Sequence, residues 1–387
     1  MDSMRALFTL LLALAASTPA AAQHPSVSAG KWLRVDFRAR VQGDVRQSQA
    51  STERMDDEDV ARRRVGIEGR AAGIFDYQLE YEIGERQWRD AYVDYRQFKA
   101  LQVQAGVFKL PFGLDENTSA TSLDFLYRAR ISSRLAPGRD RGVSAHGKLL
   151  RDRVNYSAGV FRHDGDNARP SHSLRVFGGR TGAARVFVQP FRGSRSAAAS
   201  LHVGGAVASS HVPLGFPGIR ARTVFGASFF DSDVWVKGRR LRTGVEAKWR
   251  IRRVSLQSEY IRLTDERRGQ SVENGDLSPI VAQGWYVSGT SALIGKRKRY
   301  GSLELAARYE TLSFGSAASG ELSTSDRADT VLGNRERAMT LGVNWYVNRW
   351  VKLQANLIRE DIKHPTLGPM PTRPAFWSRA LRLQLAI

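Results

Sequence analysis

A transmembrane antiparallel β-barrel is the fold the sequence predicts, and three observations predict it. The 387-residue chain opens with an export leader, holds no later apolar run of the ~20 residues a membrane helix needs, and alternates apolar with polar residues up to its last position. Helices and closed barrels are the backbones that satisfy their own hydrogen bonds in lipid, so an exported, alternating chain without such helices points to a barrel. A soluble sandwich also alternates. Here, however, no Pro/Ser/Gly linker or composition break divides the chain, and one continuous sheet is the simpler account. About sixteen strands are expected, and barrels of ~16 to 18 strands keep a water-filled lumen.

The leader is read from its three parts. Met1 to Arg5 is a short charged start, Ala6 to Ala16 an apolar core, and Ala20-Ala21-Ala22 before Gln23 suits signal peptidase. Residues 1–22 are therefore expected to be a signal peptide and residues 23–387 a single barrel domain. The absence of cysteine removes a disulfide framework and thiolate metal sites. The formal charge of +21 comes from 59 basic residues, of which 49 are arginine. A coding bias toward Arg and Ala accounts for part of this excess, so position matters more than count. Such a field favours anionic partners.

Residues 30–41 form the first expected strand, with Leu33, Val35, Phe37, Ala39 and Val41 on one face and Arg34, Asp36, Arg38 and Arg40 on the other. Residues 43–59 are polar and are expected to be a loop; its run Asp56-Asp57-Glu58-Asp59 reads as solvated, because four consecutive acids cannot converge on one cation. Alternation resumes with Val65, Ile67 and Gly69 against Arg64, Glu68 and Arg70. After a turn at Ala72-Gly73 it continues with Phe75, Tyr77, Leu79, Tyr81 and Ile83. Two more segments, residues 88–96 and 101–108, lead into Lys109-Leu110-Pro111-Phe112-Gly113-Leu114. Pro111 cannot donate to a sheet, so pairing stops there and a long basic excursion begins, carrying Arg128, Arg130, Arg134, Arg139 and Arg141.

Beyond it, Val143 to Leu149 and Val154 to Val160 flank a turn at residues 151–153. The stretch from His163 to Arg240 is harder to parse, with strands expected at residues 185–189, 200–207 and 223–229. Clear alternation returns at residues 243–251, 285–293, 303–311, 339–347 and 351–357, and the final strand, Leu381, Leu383, Leu385 and Ile387, runs to the end. The basic runs Arg239-Arg240-Leu241-Arg242 and Lys296-Arg297-Lys298-Arg299 lie between alternating segments and read as turn or rim charges.

The text around the excursion resembles the phosphate-selective porin O and P family of Gram-negative outer membranes. The resemblance rests on Trp88-Arg89-Asp90-Ala91-Tyr92, Gly106 to Leu114, Thr118-Ser119 and Arg128, with Arg64 to Gly69 and Phe75 to Glu82 upstream. It implies an outer-membrane channel, a homotrimer, and a segment after Leu114 that folds into the lumen as a constriction loop. Where phosphate-specific members read Glu-Lys-Ala-Thr-Ser-Ser, this chain reads Asp115-Glu116-Asn117-Thr118-Ser119-Ala120. Thr118, Ser119 and Arg128 match, but Glu116 stands in the lysine position and Ala120 in that of the second serine. A carboxylate there repels phosphate unless Arg128, Arg130 or Arg134 neutralises it. The terminal Ile387 replaces the family's usual aromatic residue.

The expected anion path therefore comprises Arg34, Arg38, Arg40, Arg64, Arg70 and Arg96 on the polar face of the wall, with Glu116, Thr118, Ser119, Arg128 and Arg130 on the loop. Arginine suits oxyanions because its planar fork of donors stays charged. Small inorganic or organic anions are the expected cargo, with outer-membrane lipid and lipopolysaccharide as surroundings and no nucleic acid. No cofactor or metal is expected, and an enzyme is disfavoured. The seven histidines lack metal-ligand spacing, and Gly142-Val143-Ser144-Ala145-His146 lacks the closing glycine of a nucleophile elbow. The alternative is an exported basic β-protein that binds polyanions or envelope components.

Overall fold

Sixteen strands close into a ring by antiparallel pairing in the computed structural model, which describes residues 25–51, 55–167, 179–215, 221–226, 228–230, 234–316, 327–331, 333–367 and 371–387. The expected signal peptide lies outside these residues. A short strand, β1 (Ser26–Ala29), precedes the ring. The wall begins with β2 (Leu33–Ser48), β3 (Met55–Ala71), β4 (Phe75–Glu82), β5 (Gln87–Tyr95) and β6 (Gln102–Lys109). It continues through β7 (Arg139–Leu149), β8 (Val154–Phe161), β9 (Thr181–Val188) and β10 (His202–Gly215). After a small separate hairpin, β11 (Ala221–Arg222) and β12 (Ser228–Phe230), the ring resumes with β13 (Val236–Ile251), β14 (Val254–Arg267) and β15 (Leu277–Ile294). It ends with β16 (Ser302–Ser316), β17 (Asn334–Tyr346), β18 (Val351–Ile362) and β19 (Ala375–Ala386).

Each strand pairs with the next, β10 pairs with both β9 and β13, and β19 pairs with β2 to complete the circle. β1 also lies along β2, placed end to end with β19. The Phe37 N–H donates to the Pro25 carbonyl at 2.9 Å, and the Ile387 N–H donates to the Ala39 carbonyl at 2.9 Å. Most of the tight turns, such as the one through Ala72 and Gly73, lie at one rim together with Pro25 and Ile387, and most of the longer connections lie at the other. In barrels of this kind short turns face the periplasm and long loops the exterior. The wall is uneven: β4, β5 and β6 span 8, 9 and 8 residues, whereas β13 spans 16 and β15 spans 18.

Three expectations are corrected. Residues 43–48 and 55–59 are not loop but the outer halves of β2 and β3. Their inward positions are polar because they face a polar interior, so the apolar rhythm fades while the pairing continues. Asp44 receives Arg382 through two bonds of 2.6 Å, Gln42 donates to the Gln384 amide oxygen and accepts from Arg62, each at 2.6 Å, and Ser48 bonds Ser378 at 2.9 Å. Arg46 reaches Asp57 at 2.7 Å and Asp59 at 3.1 Å, which gives two of the four consecutive acids a partner. Residues 223–229, expected as a strand of the wall, instead belong to the hairpin connection between β10 and β13. Arg239, Arg240 and Arg242, expected in a turn or rim, are part of β13 itself.

Side chains on the outer face are apolar, including Phe37, Val65, Leu79, Val143, Val245, Trp285, Tyr309 and Leu381, all more than a third exposed. The inner face is polar along most of the wall but not all of it. Ile261, Leu263, Ala282, Tyr286 and Leu312 point inward from β14, β15 and β16 and are fully buried. What buries them is the connection between β6 and β7, which turns into the lumen. Its residues Leu110, Phe112, Ala129, Ile131, Leu135 and Ala136 complete the same apolar cluster.

Candidate functional site

The inserted connection is built from a sequence that cannot pair as a strand and has one greasy face. It holds two helical turns, α1 (Leu114–Asn117) and α2 (Arg130–Arg134). Gly113 opens the first, at φ +80, a conformation that L side chains rarely adopt; a Cβ there would also stand 2.7 Å from Glu259 Oε1. Glu259 projects inward from β14 and accepts the Leu114 N–H at 2.9 Å, the Asp115 N–H at 3.3 Å and the Ser132 hydroxyl at 3.3 Å. A wall carboxylate thus caps the donors left open at the first turn of α1. Ile131 of α2 packs on β15 at Gly284, where a Cβ would lie 2.7 Å from the Ile131 Cγ2.

Polar side chains of the far wall hold the rest of the loop through its backbone. Asn356 accepts the Leu126 N–H at 2.8 Å, Lys352 donates to the Leu123 carbonyl at 2.7 Å, and Asn344 donates to the Asp124 carbonyl at 2.9 Å. Arg382 donates to the Leu126 carbonyl at 2.8 Å. The Asp124 carboxylate draws in the turn between β15 and β16, with Arg297 at 2.5 Å and Lys298 at 3.0 Å. Burial opposes ionisation of Asp124, but Lys298 and Arg297 outweigh it and hold the carboxyl below its usual range. At Asp115 burial dominates; it raises the carboxyl above its usual range although Arg128 pulls the other way.

With one half of the lumen filled by the loop, the channel is left between the loop's polar face and the wall formed by β2 to β6. A cavity of about 640 Å³ lies there. A second, of about 430 Å³, lies on its periplasmic side, and Arg38, Arg40, Arg64 and Glu80 line both. The same row of arginines thus borders both spaces.

The residues singled out from the sequence fall into three places. Arg38, Arg40, Arg64, Glu116, Ser119, Arg128 and Arg130 line the narrow cavity. Thr118 sits in the loop beside it, its hydroxyl donating to the Leu114 carbonyl at 2.9 Å. Arg34, Arg70 and Arg96 stand at the periplasmic mouth: Arg34 lies opposite Arg70 near the turn through Ala72 and Gly73, and Arg96, just past the end of β5, donates its N–H to the Ile74 carbonyl at 2.8 Å. There they are 64%, 52% and 40% exposed at the side chain and are paired with Asp36 and Asp76.

Glu116 is neutralised. Arg128 Nε lies 3.4 Å and Lys109 Nζ 3.7 Å from its carboxylate oxygens. Both cations also close the end of α1: Arg128 donates to the carbonyls of Asp115 and Thr118, and Lys109 to those of Glu116 and Thr118. Of the three neutralisers the sequence offered, Arg128 fills the role. Arg130 turns away to Glu336 at 3.0 Å and Glu360 at 3.2 Å, while its N–H donates to Glu310 at 2.6 Å.

The other acids of the narrow cavity are paired too. Asp90 receives Arg139 through bonds of 3.1 and 3.0 Å, Asp166 meets Arg89 at 3.0 Å, and Glu85 also holds Arg89. Glu80 takes Arg64 at 2.8 Å and Arg40 at 3.7 Å. Ten basic side chains against five acidic ones line the cavity, so a surplus remains. It resides in Arg62, whose Nη1 donates to the Gln42 amide oxygen at 2.6 Å, and in Arg134, whose Nε is buried without a hydrogen-bond partner. Neither has a carboxylate partner among the described residues. The sequence reading missed Arg62 and named Arg134 only as a neutraliser of Glu116. The parity that selected Arg64 also puts Arg62 inward, whereas the direction of Arg134 depends on α2 and carries no periodic signal.

Residues 35–387 match the family of phosphate-selective porins O and P. The chain belongs to that family. It is an outer-membrane anion channel, and the alternative of an exported polyanion-binding β-protein falls away. Porin O of Pseudomonas aeruginosa is 24% identical over 356 residues, covering 77% of this chain and 75% of that one. Among solved structures, the fold resembles an anion-selective porin from Comamonas acidovorans, with a TM-score of 0.59 at 12% identity, covering 91% of this chain and 99% of that one. The outer-membrane channel DcaP of Acinetobacter baumannii gives 0.61 at 10% identity, covering 93% and 99%.

Proposed function

We propose that this porin passes small anions with a general preference rather than with phosphate specificity. The observation that supports this reading is the division of charge at the constriction: the five acids are each engaged by a base, while Arg62 and Arg134 keep no carboxylate. An anion entering between the loop and the wall exchanges part of its hydration for these guanidinium donors. A cation meets net positive charge in a narrow, partly dehydrated space, where Coulomb energies exceed those in bulk water. The row Arg40, Arg64, Arg38 then hands the ion toward the periplasmic cavity.

Phosphate specificity requires donors free to close around a tetrahedral oxyanion. At the position where phosphate-specific members carry lysine, this chain has Glu116, and the neighbouring Lys109 and Arg128 are engaged by that carboxylate and by loop carbonyls. Binding weak enough for rapid release suits a diffusion channel better than a tight phosphate cage. The mature chain is read as residues 23–387, a single barrel. It is read also as a homotrimer in outer-membrane lipid, in keeping with OmpT of Vibrio cholerae, a fold neighbour described in a trimer form.

Planar bilayers with a potassium chloride gradient test the proposal. The reversal potential is expected to favour chloride in the wild type and to move toward potassium in the Arg62→Gln, Arg134→Gln double variant. A potential favouring potassium in the wild type would overturn the anion reading. Chloride current blocked by a small molar excess of phosphate would overturn the general one.

A further inference from the structure

One sector of the periplasmic rim carries charge that neither cavity uses. Three successive connections form it: residues 150–153 between β7 and β8, 189–201 between β9 and β10, and 252–253 between β13 and β14. They hold Arg151, Arg153, Arg192, Arg195, Arg252 and Arg253 against one acid, Asp152, and all six arginines are exposed. None of the six lines the narrow cavity or its periplasmic neighbour. Asp152 is already taken by Lys99 at 2.8 Å, with Arg192 at 3.8 Å. The other five arginines make no ion pair among the described residues. Elsewhere on the rim bases are matched more often: Arg96 reaches Asp76, and Arg297 and Lys298 reach Asp124.

The three connections are fastened side by side. The Gln189 N–H donates to the Arg153 carbonyl at 2.7 Å, and the Trp249 indole N–H donates to the Ala197 carbonyl at 2.9 Å. The Arg250 N–H donates to the Ser200 hydroxyl at 3.1 Å, just before the turn at Arg252 and Arg253. The backbone does not ask for arginine at these turns. Arg151 has φ +57 and Arg252 φ +50, in the left-handed region that glycine and asparagine adopt most readily. Two-residue hairpin turns favour Asn-Gly or Asp-Gly, and here the pair is Arg252-Arg253. Arginine does not help the chain to turn; what these positions gain from it is the side chain.

Two apolar side chains stand among the charges, Leu150 at 73% and Phe191 at 48% exposed. Arginine and aromatic residues are enriched at protein-binding surfaces and acidic residues depleted, so the composition is that of an interface with another protein. A small anion or a bare polyphosphate would use the charges and leave Leu150 and Phe191 in water.

We propose that this sector of the rim is a docking surface for the acidic face of a soluble periplasmic protein. Carboxylates of the partner take forked bonds from the turn arginines, and an apolar side chain of the partner covers Leu150 and Phe191. Charge complementarity chooses the occupant. Because the surface lies outside both cavities, docking leaves the anion preference of the channel intact.

The test titrates the purified full-length barrel, in uncharged detergent, with three labelled probes: poly-L-glutamate, a random copolymer of glutamate and tyrosine, and inorganic polyphosphate of similar charge. The copolymer is expected to bind about tenfold more tightly than either of the others, and to weaken as potassium chloride rises. The variants R151Q/R153Q and R252Q/R253Q are each expected to weaken copolymer binding about threefold. L150S/F191S should remove the copolymer's advantage over poly-L-glutamate, and all three variants should keep the wild-type reversal potential. If one arginine variant fails to insert, the other and L150S/F191S still decide. Copolymer binding no tighter than that of polyphosphate, or untouched by the arginine changes, would overturn the proposal. So would an advantage that survives in L150S/F191S, or displacement of the copolymer by phosphatidylglycerol added to the micelles, which would assign the arginines to the membrane surface.

Discussion

Glu116 shows how a single side chain changes meaning when its neighbours are known. Alone it looks like a barrier to anions; beside Arg128 and Lys109 it becomes a counter-charge that uses up two cations. Replacing Glu116 with lysine should release both and add a third. Phosphate is then expected to block chloride current at concentrations at least tenfold lower than in the wild type, and an unchanged block in planar bilayers would show that position 116 does not face the path. Asp124 gives a pH prediction. Its carboxyl is held below its usual range, so its pairs with Arg297 and Lys298 contribute stability above the unfolded value of ~3.9, and that contribution is lost as pH falls through the lower folded value. The difference in heat-unfolding midpoint between wild type and Asp124→Asn should be complete at neutral pH and vanish in acid. The Glu116–Arg128 pair was among those the sequence offered, but the partners of Asp124 could not be read from the chain, because Asp124 and Arg297 are far apart in sequence and meet only through the loop's path.

The constriction loop is the element on which the channel depends, and its two faces were unequally legible. Pro111 and Gly113 marked where pairing ends, and β6 does end at Lys109. The docking face was hidden. Ile261, Leu263 and Leu312 break the rule that inward positions of a wide barrel are polar, and they do so because they face protein rather than water. Similarly, Glu259, Glu310, Glu336 and Glu360 project inward but serve as loop anchors rather than lumen acids. Arg130 joins three of these four, and its loss would leave buried carboxylates without their counter-ion, at a cost of ~3–5 kcal/mol. Arg130→Ala is expected to lower the temperature at which the barrel loses its compact gel mobility. It should also make single-channel current flicker as the loop leaves its seat; steady current at the wild-type level would refute the anchoring role.

At the scale of the whole molecule the strand rhythm was enough to give the barrel, its approximate strand number and the inward arginines of β2 and β3. Between His163 and Arg240 it located β9 and β10 but misplaced residues 223–229, where a loop-borne hairpin, β11 and β12, interrupts the succession of wall strands. Period two cannot distinguish a short strand in the wall from one inside a connection. The closure itself has a further result. Because β19 stops opposite Ala39 and the chain is already in place opposite Phe37 at Pro25, a gap of about one residue separates the two segments along the same edge of β2. The ring is continuous in all but one covalent link, so the position of the cut is arbitrary for the folded wall. A gene that joins Ile387 to Pro25 through a few glycines and begins instead in the outer connection between β14 and β15 should yield the same conductance. Failure of that rearranged chain to insert, while its unlinked parent inserts, would place the importance of the cut in the order of synthesis rather than in the finished cylinder.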